Sequence, residues 1–410
     1  MKLFQLALFF IPIAFSTSCS EAQSQKTKEE SKQTSNNEIV IGHKLKFQSN
    51  VLGEEKELYI SLPPKYDEHV QSYPVIFTFE AEYLFEATQT TAKYMAARSK
   101  MPESIVVSIA NSEFNKRHEA SYERWNGLPD EYIQFFEEEL IPFIETKYRT
   151  NDYRTIIGLS PSTGFLFECF LKQPDLFKSY IALSAHLEWD RELGSKLIDE
   201  VMSKNNDPQY AGTTFYMGRA DSDMIDFDGA EEAYQEAFHR LENYTHNNVK
   251  IKIDVLEGEE HYLMSLAGIR SGLEAIYPNT IWRNPGKKGW DKNVNYADEY
   301  YKQYFDQLSE LYGFDIYPIE TAHGYGFSLS GWINSAQRWG TVDQIIQLAE
   351  LGIQYFPNSA YMHMALAEAY KQKGETNLAI RSGEKSVQLA QEFKNENLNH
   401  LNQRLNSLRD

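Results

Sequence analysis

The chain has few cysteines, fewer basic than acidic residues and no metal-binding motif. Its 410 residues include only Cys19 and Cys169, so no disulfide framework within the fold is expected. Lys and Arg number 40 against 59 Asp and Glu, and the net charge of −19 disfavours nucleic acid and acidic membrane surfaces as partners. Neither a His-x-x-x-His helix nor paired cysteines occur. We therefore predict no cofactor.

The N-terminal segment has the composition of an export signal. A basic start precedes an apolar run at residues 3–15, which is too short to span a bilayer. Small residues then lead to Cys19, and residues 20–38 are polar, like a disordered tether. Residues 1–19 resemble a bacterial lipoprotein signal that ends at a lipidated Cys19; cleavage without lipid is the alternative. We expect an exported protein, in the periplasm or at the outer membrane or cell surface, with membrane contact only through the anchor.

Short β-branched runs alternate with helical patterns from residue 39 onward. This alternation predicts an α/β fold with a mostly parallel central sheet, in a domain that spans residues 39–282. With 42% hydrophobic and 14% aromatic residues, the chain can bury the core of this domain and of a second one. The predicted strands lie at residues 57–62, 75–79, 104–109, 180–183, 213–217 and 250–256, with another from 155, and the predicted helices lie at 132–146, 229–244 and 264–276, with another after 162.

The C-terminal part of the sequence has an internal period. A linker rich in Pro, Gly and Lys is expected at residues 283–296, and helical patterns continue through residues 297–410. Gly340 and Gly374 lie 34 residues apart, the spacing of a tetratricopeptide repeat, and each separates two predicted helices. This region is expected either to bind a protein partner or to pack on the first domain as a structural lid.

One five-residue stretch has the layout of a nucleophile elbow. The sequence Gly158-Leu159-Ser160-Pro161-Ser162 follows a predicted strand and opens a predicted helix. Small residues two places to either side of Ser160 allow the sharp turn that the elbow needs. The stretch predicts an α/β-hydrolase with Ser160 as nucleophile. Pro161, however, has no N–H, whereas the residue after the nucleophile normally gives one to the oxyanion hole.

The downstream sequence supplies the other members of a catalytic triad in the order that this fold uses. An acidic loop follows one predicted strand, and His261 follows the last one. His261 is the expected general base, which takes the proton of Ser160 and returns it to the leaving alkoxide. Asp221 is our first choice for the carboxylate that holds His261, with Asp223 and Asp226 as alternatives. The histidines His118, His186 and His323 lack such a placement: the first two are expected at the surface, with lining of the site as the alternative.

Several segments besides the elbow match a known family. They are residues 51–66, 73–85, 109–120, 135–150 and 173–190. With them, residues 39–277 resemble the esterase family of the α/β-hydrolases, which includes enterobactin esterases, feruloyl and acetyl-xylan esterases, S-formylglutathione hydrolases and mycolyl transferases. The resemblance implies an α/β-hydrolase sandwich, and the 34-residue period described above predicts that an all-α, tetratricopeptide-like region follows it. The resemblance also implies hydrolysis of a small-molecule or glycan carboxylic ester through an acyl-enzyme.

The same resemblance implies positions for the oxyanion hole and the substrate. The second backbone donor would be Glu82 or Tyr83, although the chain reads Glu80-Ala81 where the family usually has Asp-Gly. Asn111 and Arg117 match polar positions near the substrate, and a helix N-terminus at Ser162 could replace the missing N–H of the elbow. Pro161 and the Glu80-Ala81 sequence both depart from the family pattern. They motivate a rival hypothesis, in which a catalytically silent hydrolase-fold protein acts as a binding scaffold through its repeats.

Overall fold

An eight-stranded sheet organises the N-terminal part of the protein. The computed structural model describes residues 39–111, 119–121, 127–188, 191–283, 295–321 and 328–410, so the expected signal, the tether and most of the expected linker lie outside the described residues. The strand order is β1-β2-β4-β3-β5-β6-β7-β8; β2 is antiparallel to both of its neighbours, and the other pairs are parallel. The strands are β1 His43–Gln48, β2 Glu55–Ser61, β3 Tyr73–Thr78, β4 Ile105–Ile109, β5 Thr150–Leu159, β6 Ser179–Leu183, β7 Thr213–Ala220 and β8 Val249–Leu256.

Helices cover both faces of this sheet. They are α1 Ala81–Ala96, α2 Pro129–Gln134, α3 Ile141–Lys147, α4 Thr163–Lys172, α5 Arg191–Ser203, α6 Asp223–Asp226, α7 Ala230–Leu241 and α8 Met264–Ile276, with a π-helical segment at Phe135–Leu140 that joins α2 to α3. Strands β3, β4, β6 and β7 are buried at every position, which explains why they read as continuous apolar runs rather than as alternating ones. The predicted α/β fold with a mostly parallel sheet is confirmed.

Alternate residues of the central strands pack into two separate cores. Phe77 and Ile156 belong to one core, and their neighbours Ile76 and Ile157 belong to the other, because successive side chains of a strand point to opposite faces. Cys169 is fully buried in the first core, and burial raises the pKa of its thiol. The parallel arrangement brings the carboxyl ends of β3, β5, β6, β7 and β8 to one edge of the sheet.

The described residues of the C-terminal region form six further helices. They are α9 Ala297–Tyr312, α10 Leu329–Trp339, α11 Val342–Tyr355, α12 Ala360–Lys373, α13 Thr376–Glu392 and α14 Leu398–Arg409. Gly374 ends α12 with a φ of 85°, a left-handed conformation that glycine adopts without strain. At Gly352 on α11, a Cβ would lie only 2.5 Å from the sulfur of Met362 on α12, so glycine permits the close approach of these helices. The all-helical C-terminal region is confirmed.

The helical region and the sheet share one hydrophobic core. Trp282, Tyr301 and Trp332 belong to the same cluster of buried side chains as Ile157 in β5 and Leu273 in α8. The ring of Tyr301 stacks on that of Trp332 with centroids 3.7 Å apart. In the part of the chain that the structure describes, no helix is both long and apolar enough to cross a membrane.

A buried polar cluster joins the same two regions. The Glu320 carboxylate accepts hydrogen bonds from Lys65 at 2.8 Å, from His69 at 3.1 Å and from Ser359 at the start of α12. Burial by itself would raise the pKa of Glu320, but the hydrogen bond to His69 and the charge of Lys65 outweigh burial and lower it to about 2. The carboxylate is therefore ionised throughout the neutral pH range, as a fixed link between the sheet and the helices.

Candidate active site

The turn after β5 holds Ser160 in a strained backbone conformation. Its φ is 57°, in the left-handed region, and its side chain lies at the edge where the parallel strands end. A Cβ at Gly158 would lie 2.9 Å from both Leu166 Cδ1 and Ser162 Oγ, which accounts for the small residue required there. The Ser162 hydroxyl accepts the N–H of Leu159 at 2.8 Å and donates to Glu80 at 2.9 Å. The elbow is thus fixed from both sides.

His261 and a carboxylate of α6 complete a triad with Ser160. The Nε2 of His261 lies 3.2 Å from the Ser160 Oγ, and its Nδ1 lies 2.9 Å from the Oδ1 of Asp223. The carboxylate in contact with His261 is therefore that of Asp223, and not that of Asp221, our first choice. Asp221 instead accepts the N–H groups of Gly258 at 2.8 Å and Glu259 at 3.1 Å, so it joins the loops after β7 and β8.

A buried arginine orients this carboxylate. The Nε of Arg219, which is completely buried in β7, lies 2.8 Å from Asp223 Oδ2, and Ser184 donates to the same oxygen at 3.0 Å. Burial of Asp223 opposes ionisation, but the hydrogen bond to His261 and the charge of Arg219 lower the pKa of its carboxyl below the ordinary value. Asp226, the remaining alternative, is exposed at the end of α6.

A second histidine also contacts the nucleophile. The Nε2 of His186, in the loop after β6, lies 3.2 Å from Ser160 Oγ, the same distance as that of His261. Its Nδ1 lies 2.8 Å from Glu188 Oε1, and only 2% of each of these two side chains is exposed. The expectation that His186 is a surface residue is wrong, because the loop after β6 ends at the same sheet edge as the elbow. His118 and His323 lie outside the described residues.

The positions implied for the oxyanion hole lie in the first turn of α1 rather than in a loop. The N–H of Tyr83 donates to the carbonyl of Glu80 at 2.9 Å and is therefore used within the helix. Ala81 and Glu82 are the first two residues of α1, and N–H groups at such positions have no acceptor within their own helix. Asn111 lies just beyond the end of β4 and is partly buried, and Arg117 lies outside the described residues.

Aromatic side chains surround His186 and His261. The Phe227 ring lies 4.9 Å from the His186 ring and 5.3 Å from the His261 ring, measured between centroids. Tyr262 follows His261 and stacks on Tyr83 with centroids 6.3 Å apart, and about half of each tyrosine is exposed. We call Tyr83, Phe227 and Tyr262 the aromatic rim. The rim offers flat apolar contacts next to the nucleophile.

The arrangement of Ser160, His261 and Asp223 is that of a serine hydrolase. A strained serine, a histidine within hydrogen-bonding reach and a buried carboxylate on the far nitrogen of that histidine meet at one sheet edge. Among the residues that the structure describes, no group of three or more His, Cys, Asp or Glu has a geometry that could hold a metal ion.

Comparisons with known proteins give the same class. The model of the Esterase family, described as Putative esterase, matches residues 49–305, more than half of the chain, and the chain belongs to this family. A relative, the ferri-bacillibactin esterase BesA of Bacillus subtilis (strain 168), is 23% identical over 217 residues, which cover 46% of this chain and 73% of that protein.

Two solved structures share the fold. An IroE-like serine hydrolase from Shewanella oneidensis gives a TM-score of 0.57 at 17% identity and covers 86% of this chain and 99% of that one. An uncharacterised protein from Capnocytophaga ochracea DSM 7271 gives a TM-score of 0.54 at 20% identity and covers 88% of this chain and 99% of that one. Both cover more of this chain than the sheet domain contains, so the shared fold extends into the helical region.

Proposed function

We propose that Ser160, His261 and Asp223 hydrolyse a carboxylic ester through an acyl-enzyme. The observation that carries the proposal is the continuous contact from Ser160 Oγ to His261 Nε2 at 3.2 Å and from His261 Nδ1 to Asp223 at 2.9 Å. His261 takes the serine proton during attack and gives it to the leaving alkoxide, while Asp223 holds the imidazole in the required tautomer. Water then attacks the acyl-enzyme with the same base.

The oxyanion would be held by the N-terminus of α1. This helix has 16 residues, and its first N–H groups, at Ala81 and Glu82, lie at the start of the segment that follows β3. Glu80, whose carboxylate accepts from Ser162 of the elbow, fixes this helix start against the nucleophile turn. Donors placed before the reaction stabilise the charge that develops on the carbonyl oxygen. Because Pro161 supplies no N–H, the hole would have fewer backbone donors than the family usually provides.

The substrate class that fits best is an ester with an aromatic group, of the siderophore type. Two observations support this proposal: BesA is named as a ferri-bacillibactin esterase, and the aromatic rim lies against His261. Flat aromatic groups pack favourably against Tyr and Phe side chains. Glycan esters are the alternative substrate class, and the comparison of aryl and glycan esters below distinguishes the two.

The cellular setting is proposed from the sequence alone. Residues 1–19 would direct export and lipidation of Cys19, and residues 20–38 would separate the enzyme from the membrane surface. The helical region would then be available to a protein partner. Radiolabelled palmitate incorporation that is lost in Cys19→Ala would support the anchor, and export of an unmodified protein would contradict it.

Hydrolysis of short-chain p-nitrophenyl esters by the full-length protein in mild detergent tests the catalytic proposal. We expect turnover that Ser160→Ala abolishes and that Ser203→Ala, a control at an exposed serine outside the site, leaves unchanged. Equal background rates in wild type and Ser160→Ala, with no fluorophosphonate labelling, would favour the rival hypothesis of a silent binding protein.

The substrate proposal needs a separate comparison of esters. We expect Tyr262→Ala to lower kcat/KM for aryl esters, including a catecholate trilactone, about fivefold more than for an acetylated xylan fragment, because stacking on the ring is worth about 1 kcal/mol. Tyr94→Ala is the control, since Tyr94 is also an exposed tyrosine but lies on α1 beside Arg98 instead of beside His261. A similar loss for both ester classes would contradict the aromatic preference.

A further inference from the structure

Two histidines, each with its own carboxylate, contact one serine. His261 is paired with Asp223, and His186 is paired with Glu188, and both Nε2 atoms lie 3.2 Å from Ser160 Oγ. The two imidazole centroids are 5.7 Å apart, so the serine oxygen bridges two rings. A serine hydrolase needs only one such pair. The second pair therefore requires an explanation of its own.

Hydrogen bonds from buried groups fix the position of His186. The carbonyl of Ala185, next to it in the chain, accepts from Arg219 at 2.7 Å and from the hydroxyl of Tyr234 at 2.9 Å. Arg219 also donates to Glu188 Oε1 at 2.9 Å. The loop, the ring and the carboxylate are thus all fixed by buried groups, which is the support that a preorganised site has.

The arginine joins both pairs into one charged network. Among the residues that the structure describes, the charged and titratable groups around His186 are Glu188, Arg219, Asp223 and His261. With two carboxylates and one guanidinium, the network carries one net negative charge when both histidines are neutral. A proton that leaves Ser160 for either ring would therefore enter a network that already carries a negative charge.

The hydrogen positions follow from the carboxylates. Each carboxylate accepts an Nδ1–H, which leaves each neutral ring with a lone pair on Nε2. Ser160 has one proton and can donate it to only one of the two rings. Burial lowers the pKa of His186, partly offset by the hydrogen bond to Glu188, so this ring is neutral and its Nε2 is an acceptor at neutral pH.

We propose that His186, oriented by Glu188, is a second general base for Ser160. This inference rests on the proposed function of Ser160 and adds a residue to it. As the bond from Oγ to the carbonyl carbon forms, the carbonyl π pair moves to oxygen and the serine proton moves to Nε2 of His186 instead of His261. The protonated ring later gives that proton to the leaving alkoxide, so either pair completes the transfer.

Fluorophosphonate labelling isolates the base from the other catalytic steps. The Oγ–P bond forms, the P–F bond breaks and fluoride leaves without a proton, so the labelling rate measures how well a base removes the serine proton. In a triad with one histidine, loss of that histidine costs about as much as loss of the whole triad. Here His261→Gln of the full-length protein should keep a labelling rate at least roughly tenfold above that of the double variant with His186→Gln.

A pH profile separates a base from a residue that only supports the fold. The residual labelling of His261→Gln should persist below pH 6.5, the ordinary titration range of histidine, because burial lowers the pKa of His186. Glu188→Gln in the same background should reduce the residual rate, since it removes the group that fixes the tautomer. His239→Gln, at a largely exposed histidine, is the matched control and should change nothing.

The outcomes distinguish this inference from the function on which it rests. Equal labelling of His261→Gln and the double variant, both folded by circular dichroism, would overturn the second base while wild-type labelling keeps the proposed function. Absence of labelling in the wild type would overturn both. A residual rate that depends on His186 and on Glu188 would establish the second pair.

Discussion

Replacement of Pro161 by alanine should make this enzyme faster and slightly less stable. The substitution restores a backbone N–H directly after the nucleophile, where hydrolases of this fold take one donor of the oxyanion hole. The local turn does not depend on the proline ring alone, because the N–H of Thr163 donates to the carbonyls of Ser160 and Pro161. We therefore expect alanine at 161 to keep the turn.

The two effects have different magnitudes. Removal of one oxyanion donor typically costs a factor of about 10² to 10³ in kcat, so its addition should raise kcat by at least about tenfold, with little change in KM because the bond strengthens in the transition state. Loss of the ring frees the unfolded chain and should cost about 0.4–1 kcal/mol of stability. For a protein of this size, that cost lowers Tm by no more than about 2 °C.

The assay is steady-state hydrolysis of p-nitrophenyl esters together with thermal unfolding. Pro208→Ala is the control, because Pro208 also lies in a 3₁₀ turn, Pro208–Tyr210, away from the site, as Pro161 lies in the turn Ser160–Ser162. It should lose similar stability and leave kcat unchanged. If Pro161→Ala is folded and its kcat stays within about twofold of wild type, the N–H at 161 does not reach the oxyanion, and our account of the hole is refuted.

Three further outcomes are expected. Asp223→Asn should lower kcat in ester hydrolysis, by up to about 10⁴ if His186 does not replace His261, because the carboxylate that fixes the tautomer of His261 is lost, whereas Asp221→Asn should leave kcat nearly unchanged; equal losses would contradict the assignment of Asp223. The pKa of Glu320, about 2 when folded, lies below its unfolded value, so its stabilisation, on the order of 3 kcal/mol, is complete above about pH 5 and is lost as pH falls toward 2. Urea unfolding between pH 7 and 3 should therefore depend less on pH in Glu320→Gln than in wild type, and equal slopes would refute this role. Gly158→Ala should cost about 1–3 kcal/mol in urea unfolding, because its Cβ would lie 2.9 Å from Leu166; an unchanged midpoint would show that the elbow has more room than the structure indicates.

The fold could be predicted because the relevant patterns are local. Helix α8, Met264–Ile276, has the predicted bounds, since apolar residues recur at helical spacing and breaking residues follow. Helix α1, Ala81–Ala96, was not predicted as a helix. It begins at Glu80 in a left-handed conformation, without a side-chain cap, so the usual start signal is missing.

The acid of the triad could not be chosen from the sequence alone. Asp221, Asp223 and Asp226 follow one strand, and the choice depends on how the loop folds. The signal that would have helped is Arg219, a charged residue within a buried strand, since a buried guanidinium needs a carboxylate and Asp223 lies four residues later.

The contact of His186 with Ser160 could not be predicted for a different reason. This contact joins residues 26 positions apart through the parallel pairing of β5 with β6, and no local pattern records that proximity. The spacing of His186 and Glu188 just after a strand was the available hint, because side chains there lie at the edge where α/β sheets bind their ligands.

The core shared by the sheet and the C-terminal helices has a thermodynamic consequence. Trp282 donates to the Tyr312 hydroxyl at 3.0 Å, and that hydroxyl donates to the carbonyl of Ile276 in α8 at 2.9 Å, so the helices cannot separate without opening the layer behind the elbow. Unfolding should then be a single cooperative transition. Consider a molecule that binds only the helical region and is present at a hundred times its Kd. It would raise the free energy of unfolding of the whole unit, including the fold around Ser160, by about 2.7 kcal/mol without contacting that serine.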